Sequence, residues 1–242
     1  MYESVVDTKL FKDVLRDEHK SMVEKQFTER TYPNGQIIYF HGDVGDRLFI
    51  IKSGKVKIFR QSDEQEIVLG HQFAGEAVGE LEMLHYDKTR TASVAAIEET
   101  VLWSLARDEF LELTRLYPEL MRKTIYILSE RLVQANRKLE YLAFLDIRVR
   151  VANLLLDLHT NFGKQTTHGD LIDWKITQQH FANMIGCSRE SSSRILHELQ
   201  DGGILFLKNR YIYIVDMDEL KLLAGWQEDS PQSRHWHKHY NS

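Results

Sequence analysis

Arg189, Glu190, Ser193, Arg194 and His197 share the outward face of a short amphipathic segment, and that set of side chains suits reading base edges in duplex DNA. An arginine fork can donate twice to a guanine, and a carboxylate can accept from the amino group of a cytosine. The stretch that carries them, Thr177 to Leu199, reads TQQHFANMIGCSRESSSRILHEL. Phe181, Ala182, Met184 and Ile185 mark the apolar face of a first helix, and Gly186 interrupts it. Ser188 is a good N-cap for a second helix, whose apolar stripe is Ile195, Leu196 and Leu199. Two short helices joined by a tight glycine turn form a helix-turn-helix, which offers its second helix to the major groove. Glu190 and Arg194 lie one turn apart, so an ion pair between them would orient the carboxylate. Thr177 and Ser188, at the two helix starts, complete the candidate DNA contacts on this motif.

A β-hairpin is expected after the second helix, from Ile204-Leu-Phe-Leu and Tyr211-Ile-Tyr-Ile-Val. Its tip carries Lys208 and Arg210, placed for phosphate contact as the wing of a winged helix. An exposed turn with solvated charges is the competing reading for each residue taken alone. Cys187 lies in the turn before the reading helix; it is read as a small packed residue, with oxidation that disturbs DNA contact as the alternative.

Other elements must position this motif. Glycines crowd the first third of the chain, from Gly35 to Gly79, and short β-prone runs lie between them. These runs start at Gln36, Arg47, Lys55, Glu66, Ala92 and Thr100, and their close spacing predicts a sandwich or barrel. Strand signals end near Ala106; a short helix follows from Arg107, and Pro118 suits the first turn of the next. From there Met121, Ile125, Leu128, Leu132, Ala135, Leu139 and Leu142 recur at alternating spacings of four and three. That stripe is narrower than a core-facing helix needs, and it predicts a parallel coiled-coil homodimer. Asp146 ends the seam, and a helix over about Ile147 to Asn161 opens the C-terminal domain.

The bulk numbers bound the class. The chain of 242 residues has a formal net charge of −5, against the basic footprint expected of a nucleic-acid binder; a local basic surface has to carry any DNA affinity. One cysteine rules out an intrachain disulfide and a cluster held by several thiolates of one chain. The N-terminus lacks a sustained apolar run, and nothing is long and apolar enough to cross a bilayer, so a cytoplasmic protein with no membrane partner is expected. No P-loop, GxSxG or HExxH occurs, which argues against an enzyme.

Three stretches, in order along nearly the whole chain, resemble the CRP/FNR family of bacterial transcription factors. The first is Gly42-Asp-Val-Gly-Asp46 followed by Leu48-Phe-Ile-Ile and Ser53-Gly54, similar to the family's early β-roll turns. The second is Gly79-Glu80-Leu81 with Arg90-Thr91-Ala92, at the spacing of a cyclic-nucleotide phosphate cassette. The third is Ile185-Gly-Cys-Ser-Arg-Glu with Ser193-Arg194-Ile-Leu, close to the family's DNA-reading helix. Leu142-Ala-Phe-Leu-Asp146 is also similar to the hinge of the family's catabolite activator.

The resemblance implies an α+β fold in four parts. They are an effector-sensing β-roll of the cyclic-nucleotide-binding jelly-roll kind (1–118), a dimerisation helix and hinge (119–146), a winged helix-turn-helix (147–228) and a mobile tail (229–242). It also implies a homodimer that contacts RNA polymerase and binds a palindromic TGTGA- or TTGAT-like site. In the effector pocket, backbone N–H groups near Gly79 and Leu81, the Arg90 fork and the Thr91 hydroxyl would hold the phosphate of cyclic AMP, and Glu80 would accept from a ribose hydroxyl. Ala135 and Asn136 align with the pair that contacts adenine through hydroxyls, and Ala135 has no donor to offer. Glu82 puts a negative charge near the anion site, where nucleotide binders carry a small residue. A second reading therefore has Glu80 and Arg90 paired with each other to close the roll, or a different small ligand in the cavity. Ser192 departs from the family's apolar residue and points to slightly different helix packing. A nucleotide-binding regulatory protein that acts on protein partners is the alternative function.

Overall fold

The structure is a computed structural model that describes residues 2–63, 65–225 and 234–236. Two compact units divide it, with the boundary inside a long helix after Val133; the segment Asp63–Val68 groups with the second unit.

The first unit is a double-sheet roll. After α1 (Asp17–Glu24) come β1 (Thr28–Tyr32), β2 (Ile37–Tyr39), β3 (Arg47–Ser53), β4 (Lys55–Gln61), β5 (Glu66–Phe73), β6 (Ala77–Val78), α2 (Glu80–Leu84), β7 (Ser93–Ala96) and β8 (Thr100–Ala106). One sheet has the order β1-β8-β3-β6 and the other β2-β7-β4-β5. The apolar run Leu48–Ile51 of β3 is buried throughout, because both faces of that strand meet core. β4 puts Val56 and the half-buried Ile58, two residues apart on one face, into a second core cluster, while Phe59 is buried on the opposite face. Val5, Leu10 and Phe11, from the charged N-terminal stretch, pack with Leu48, Ile50, Trp103 and Phe110 in one core cluster. Each such side chain contributes about 1.5–3 kcal/mol when fully buried. Helix α3 (Arg107–Leu116) leads into α4 (Pro118–Phe144), which starts at the expected proline.

The second unit begins its own core at α5 (Ile147–Phe162). Asp146 caps this helix by accepting from the Val149 N–H at 2.9 Å, which is why the preceding helix stops there. β9 (Gly163–Thr166) and β10 (Gly169–Ile172) follow, then α6 (Gln178–Ile185), α7 (Arg189–Asp201), β11 (Leu205–Lys208), β12 (Tyr211–Ile214) and α8 (Met217–Leu223). The four strands form one sheet ordered β11-β12-β10-β9, so the expected hairpin is widened by a second one whose outer strand, β9, is exposed throughout. Most of the tail expected to be mobile lies outside the described residues. The stretch 234–236 is packed: Arg234 donates to Asp157 at 2.9 Å and to the Asn153 side chain at 3.0 Å. Trp236 meets the rings of Phe162 and Trp174. Among the described residues, no helix is long and apolar enough to cross a membrane.

Candidate DNA-reading and effector sites

Helix α6 ends at Gly186, whose φ of +76° is the left-handed conformation that closes a helix without a side-chain clash. Arg150 of α5 donates to the last carbonyl of α6, that of Ile185, at 3.2 Å and fixes the helix end. The turn then places Ser188 as the N-cap of α7, where its hydroxyl accepts from the Ser191 N–H at 3.1 Å. Thr177 caps α6 in the same way, through the His180 N–H at 3.1 Å. Both are therefore structural caps with their side chains exposed.

Ile195, Leu196 and Leu199 bury one face of α7, and Arg189, Glu190, Arg194 and His197 stand exposed on the other. The ion partner of Arg194 is Glu198, at 4.0 Å one turn further on, and not Glu190. An arginine approaches a carboxylate on either side at this spacing; this rotamer leaves the Glu190 carboxylate in the first turn for another partner. His197 folds back on its own helix, with Nδ1 2.7 Å from the Ser193 carbonyl oxygen, and Ser193 is half-buried beneath it. Ser192 is fully buried, and its Oγ has no hydrogen-bond partner. Cys187 is buried, and burial pushes its thiol pKa up; this suppresses the thiolate that oxidation requires and favours the packing role.

Lys208 pairs with Tyr211 across the wing, so Asn209 and Arg210 are the two residues of a tight turn. Their φ angles are +53° and +67°, the signature of a primed hairpin turn that normally carries Asn-Gly. Asparagine fits; arginine at the second position is strained. A groove runs between this turn and the motif, bordered by Thr177, Gln178, Arg189, Lys208 and Arg210. Replacing Arg210 with glycine is expected to stabilise the chain by about 0.5–1 kcal/mol through relief of the strain. The same change is expected to weaken DNA binding about equally for all sequences and to flatten its salt dependence by about one unit of slope per chain, about two for the proposed dimer. Urea unfolding and salt-titrated gel shifts measure the two effects.

The β-roll cassette is built around α2. Gly79 precedes it with φ +81°, and a Cβ there would lie 2.3 Å from Nη1 of Arg90, so only glycine admits the arginine. Arg90 is 2 % exposed, and its guanidinium lies 4.1 Å from the centre of the Tyr39 ring. Nη2 donates to the Arg47 carbonyl at 2.6 Å, and Nη1 donates to Oε2 of Glu82 at 3.0 Å. Oε1 of Glu82 accepts from the Thr91 N–H at 3.1 Å and from the Thr91 hydroxyl at 3.2 Å. The expected Glu80–Arg90 pair does not form. Glu80 and Glu82 are two residues apart on α2, and such positions point away from each other on a helix. Arg90 meets Glu82, while Glu80 is ion-paired to Arg131 of α4. Arg131 also donates to the Ala77 carbonyl at 2.5 Å. Oε2 of Glu80 is buried with no hydrogen-bond partner. Burial raises the Tyr39 hydroxyl pKa, partly offset by the Arg90 charge. Leu81, though in the cassette, is exposed and makes no part of this network.

Arg131 carries no local mark of this role beyond being a basic residue off the apolar stripe of α4. Ala135 and Asn136 are exposed on α4 beyond the unit boundary. Along the stripe, Ile125, Leu132 and Leu139 are exposed by 57 %, 62 % and 64 %, and Met121, Leu128 and Leu142 are half-buried.

Comparison with known proteins agrees with both halves of this arrangement. Residues 29–117 match the model of the cyclic nucleotide-binding domain, and residues 149–223 match the Crp-like helix-turn-helix domain. The chain is 35 % identical over 194 residues to the cyclic AMP receptor protein of Thermus thermophilus, covering 80 % of this chain and 86 % of that one. It is 32 % identical over 197 residues to a CRP-like cAMP-activated global transcriptional regulator of Mycobacterium tuberculosis, covering 81 % and 88 %. The solved structure of the c-di-GMP responsive regulator CLP of Xanthomonas campestris superposes with a TM-score of 0.73 at 27 % identity, covering 80 % of this chain and 96 % of that one. This chain, with its effector-type β-roll and its Crp-like helix-turn-helix, belongs to the CRP/FNR family, whose members are DNA-binding transcription regulators and not enzymes.

Proposed function

We propose that this protein is a homodimeric transcription regulator that reads a palindromic site of the TGTGA or TTGAT kind, under the control of a small molecule bound in its β-roll. The reading is carried by the exposed first turn of α7, which presents Arg189 and Glu190, and by the groove in which Arg189 faces the basic turn of the wing. Arg189 grips a guanine, Glu190 accepts from a cytosine amino group, and Lys208 and Arg210 hold phosphates. The apolar stripe of α4 supplies the two-fold pairing that sets two such helices one duplex turn apart. By family resemblance the DNA-bound dimer contacts RNA polymerase, and the protein works in the cytoplasm. A regulatory subunit that acts only on protein partners has no use for the DNA-type motif at residues 149–223, so the matching Crp-like domain favours the first reading.

Selection of random duplexes by the purified protein, at fixed salt, tests the proposal. Enrichment of a two-fold symmetric sequence is expected, and no enrichment would overturn it. Replacing Glu190 with alanine should relax base choice at one position of each half-site. The expected loss of discrimination there is about 1–3 kcal/mol. Unchanged selection by that variant would remove Glu190 from the reading set.

A further inference from the structure

Four features of the cassette belong together. Arg90 is almost wholly buried, and so is its ion partner Glu82, at 3 % exposure. Three donors converge on the one carboxylate: Nη1 of Arg90, the Thr91 N–H and the Thr91 hydroxyl. A guanidinium N–H with a backbone N–H and a hydroxyl is a donor set suited to an oxyanion, and here a side chain of the same chain fills it. The fit is close on the far side as well, since a Cβ on Gly45 would lie 2.7 Å from Cβ of Glu82. Beside this filled seat, Oε2 of Glu80 is buried and accepts from nothing, although Glu80 is held in place by Arg131.

We propose that Glu82 is the resident anion of this β-roll, so that the native domain rejects cyclic nucleotides and removal of this one carboxylate converts it into a cyclic-nucleotide site. The inference rests on the reading of the β-roll as the effector domain. A cyclic phosphate entering the native pocket has to displace Glu82 from three hydrogen bonds and then lie against a buried carboxylate of its own sign. With Glu82 gone, Arg90 and Thr91 face an empty anion seat, and the free oxygen of Glu80 is available to a ribose hydroxyl. Glu82 thus acts as a specificity determinant by occupying the place of a ligand group. The native effector, on this reading, is a molecule that leaves the seat alone and offers a hydroxyl or amine donor to Glu80.

Titration calorimetry on the full chain, with cyclic AMP and cyclic GMP, compares the native protein with Glu82→Ala and Glu82→Gln. Thermal unfolding with inorganic phosphate serves as the minimal anion probe. Glu82→Ala is expected to bind at least one of the cyclic nucleotides about 100-fold or more tightly than the native chain, because the like charge is gone. It should also be raised in melting temperature by phosphate, which leaves the native chain unmoved. Glu82→Gln keeps the shape, so its gain is expected to be smaller. If Glu82→Ala folds only when cyclic AMP is present during refolding, that rescue supports the proposal equally. Tight cyclic nucleotide binding by the native chain would overturn it. So would a Glu82→Ala protein that gains neither nucleotide nor phosphate binding, or that neither folds alone nor is rescued. Native DNA binding, measured in the same series, separates the two ideas: its loss counts against the regulator reading, and the calorimetric outcomes count only for or against Glu82.

Discussion

Replacing Arg90 with methionine is expected to lower the stability of the β-roll by about 3–5 kcal/mol, the usual result of removing one partner from a buried ion pair. The size follows from what is left behind. Glu82, 3 % exposed, would keep only the two donors of Thr91, and its charge would have no counter-ion inside the roll. The Arg47 carbonyl would lose its 2.6 Å donor, and the face of Tyr39 would lose a cation 4.1 Å away. Methionine fills much of the volume, so the loss reports charge rather than a cavity. The double variant Arg90→Met with Glu82→Met removes both charges and is expected to regain most of the loss, because neither partner is then stranded. Scanning calorimetry is the suitable measurement, since a chain of two units need not unfold in one step and the helix-turn-helix serves as the internal control. A loss below about 1 kcal/mol for Arg90→Met would mean that water screens the pair, as at an exposed surface. It would also weaken the case that Glu82 seals the seat.

The comparison of Arg90 with α7 marks how far local sequence reaches. The reading helix was legible because everything that defines it lies within one turn or two: a glycine in the left-handed conformation, a serine cap, and an apolar stripe at helical period. The wing was legible for the same reason, although not the second hairpin. Gly163–Thr166 is exposed along its whole length and carries no apolar alternation, so its pairing with β10 comes from the neighbouring strand rather than from its own pattern. Within the cassette, Gly79, Arg90 and Thr91 lie around α2 as the resemblance implies, but Arg90 pairs with Glu82 and not, as in the second reading, with Glu80. Two glutamates at i and i+2 of a five-residue helix diverge, and which one meets the arginine depends on how that helix is rotated against the roll. The partner that takes the other glutamate, Arg131, is 51 positions away on a different helix, and no local rule anticipates it. Val5, Leu10 and Phe11 are buried although they sit among charged residues with no sustained period, so no local pattern marks them as core. Short-range chemistry was readable; partner choice, which packing decides over long separations, was not.

Placing glutamate at both Leu132 and Leu139 is expected to leave each chain folded, abolish the proposed dimer and reduce affinity for its palindromic site by about 1,000-fold or more. The two leucines are exposed by 62 % and 64 % in the single chain, so charge there costs the fold little. In a parallel two-stranded seam each position faces its own copy, and the variant would bury four carboxylates with no counter-charge between the helices. Like charges held that close cost several kcal/mol, more than a helix pair of this length can absorb. DNA affinity falls with the dimer because the second reading helix then binds as a separate molecule. For the proposed dimer, a palindrome would gain its affinity from the high effective concentration of the second half once the first has docked. Single-site contact should survive, and with it a salt slope about half that of the native protein, since half the phosphate contacts remain. Sedimentation equilibrium and gel shifts at several salt concentrations decide the matter. A glutamate variant that stays dimeric would move the two-fold interface off this stripe. A monomer that keeps native affinity would detach dimerisation from DNA reading altogether, and the paired geometry proposed for Arg189 and Glu190 would fall with it.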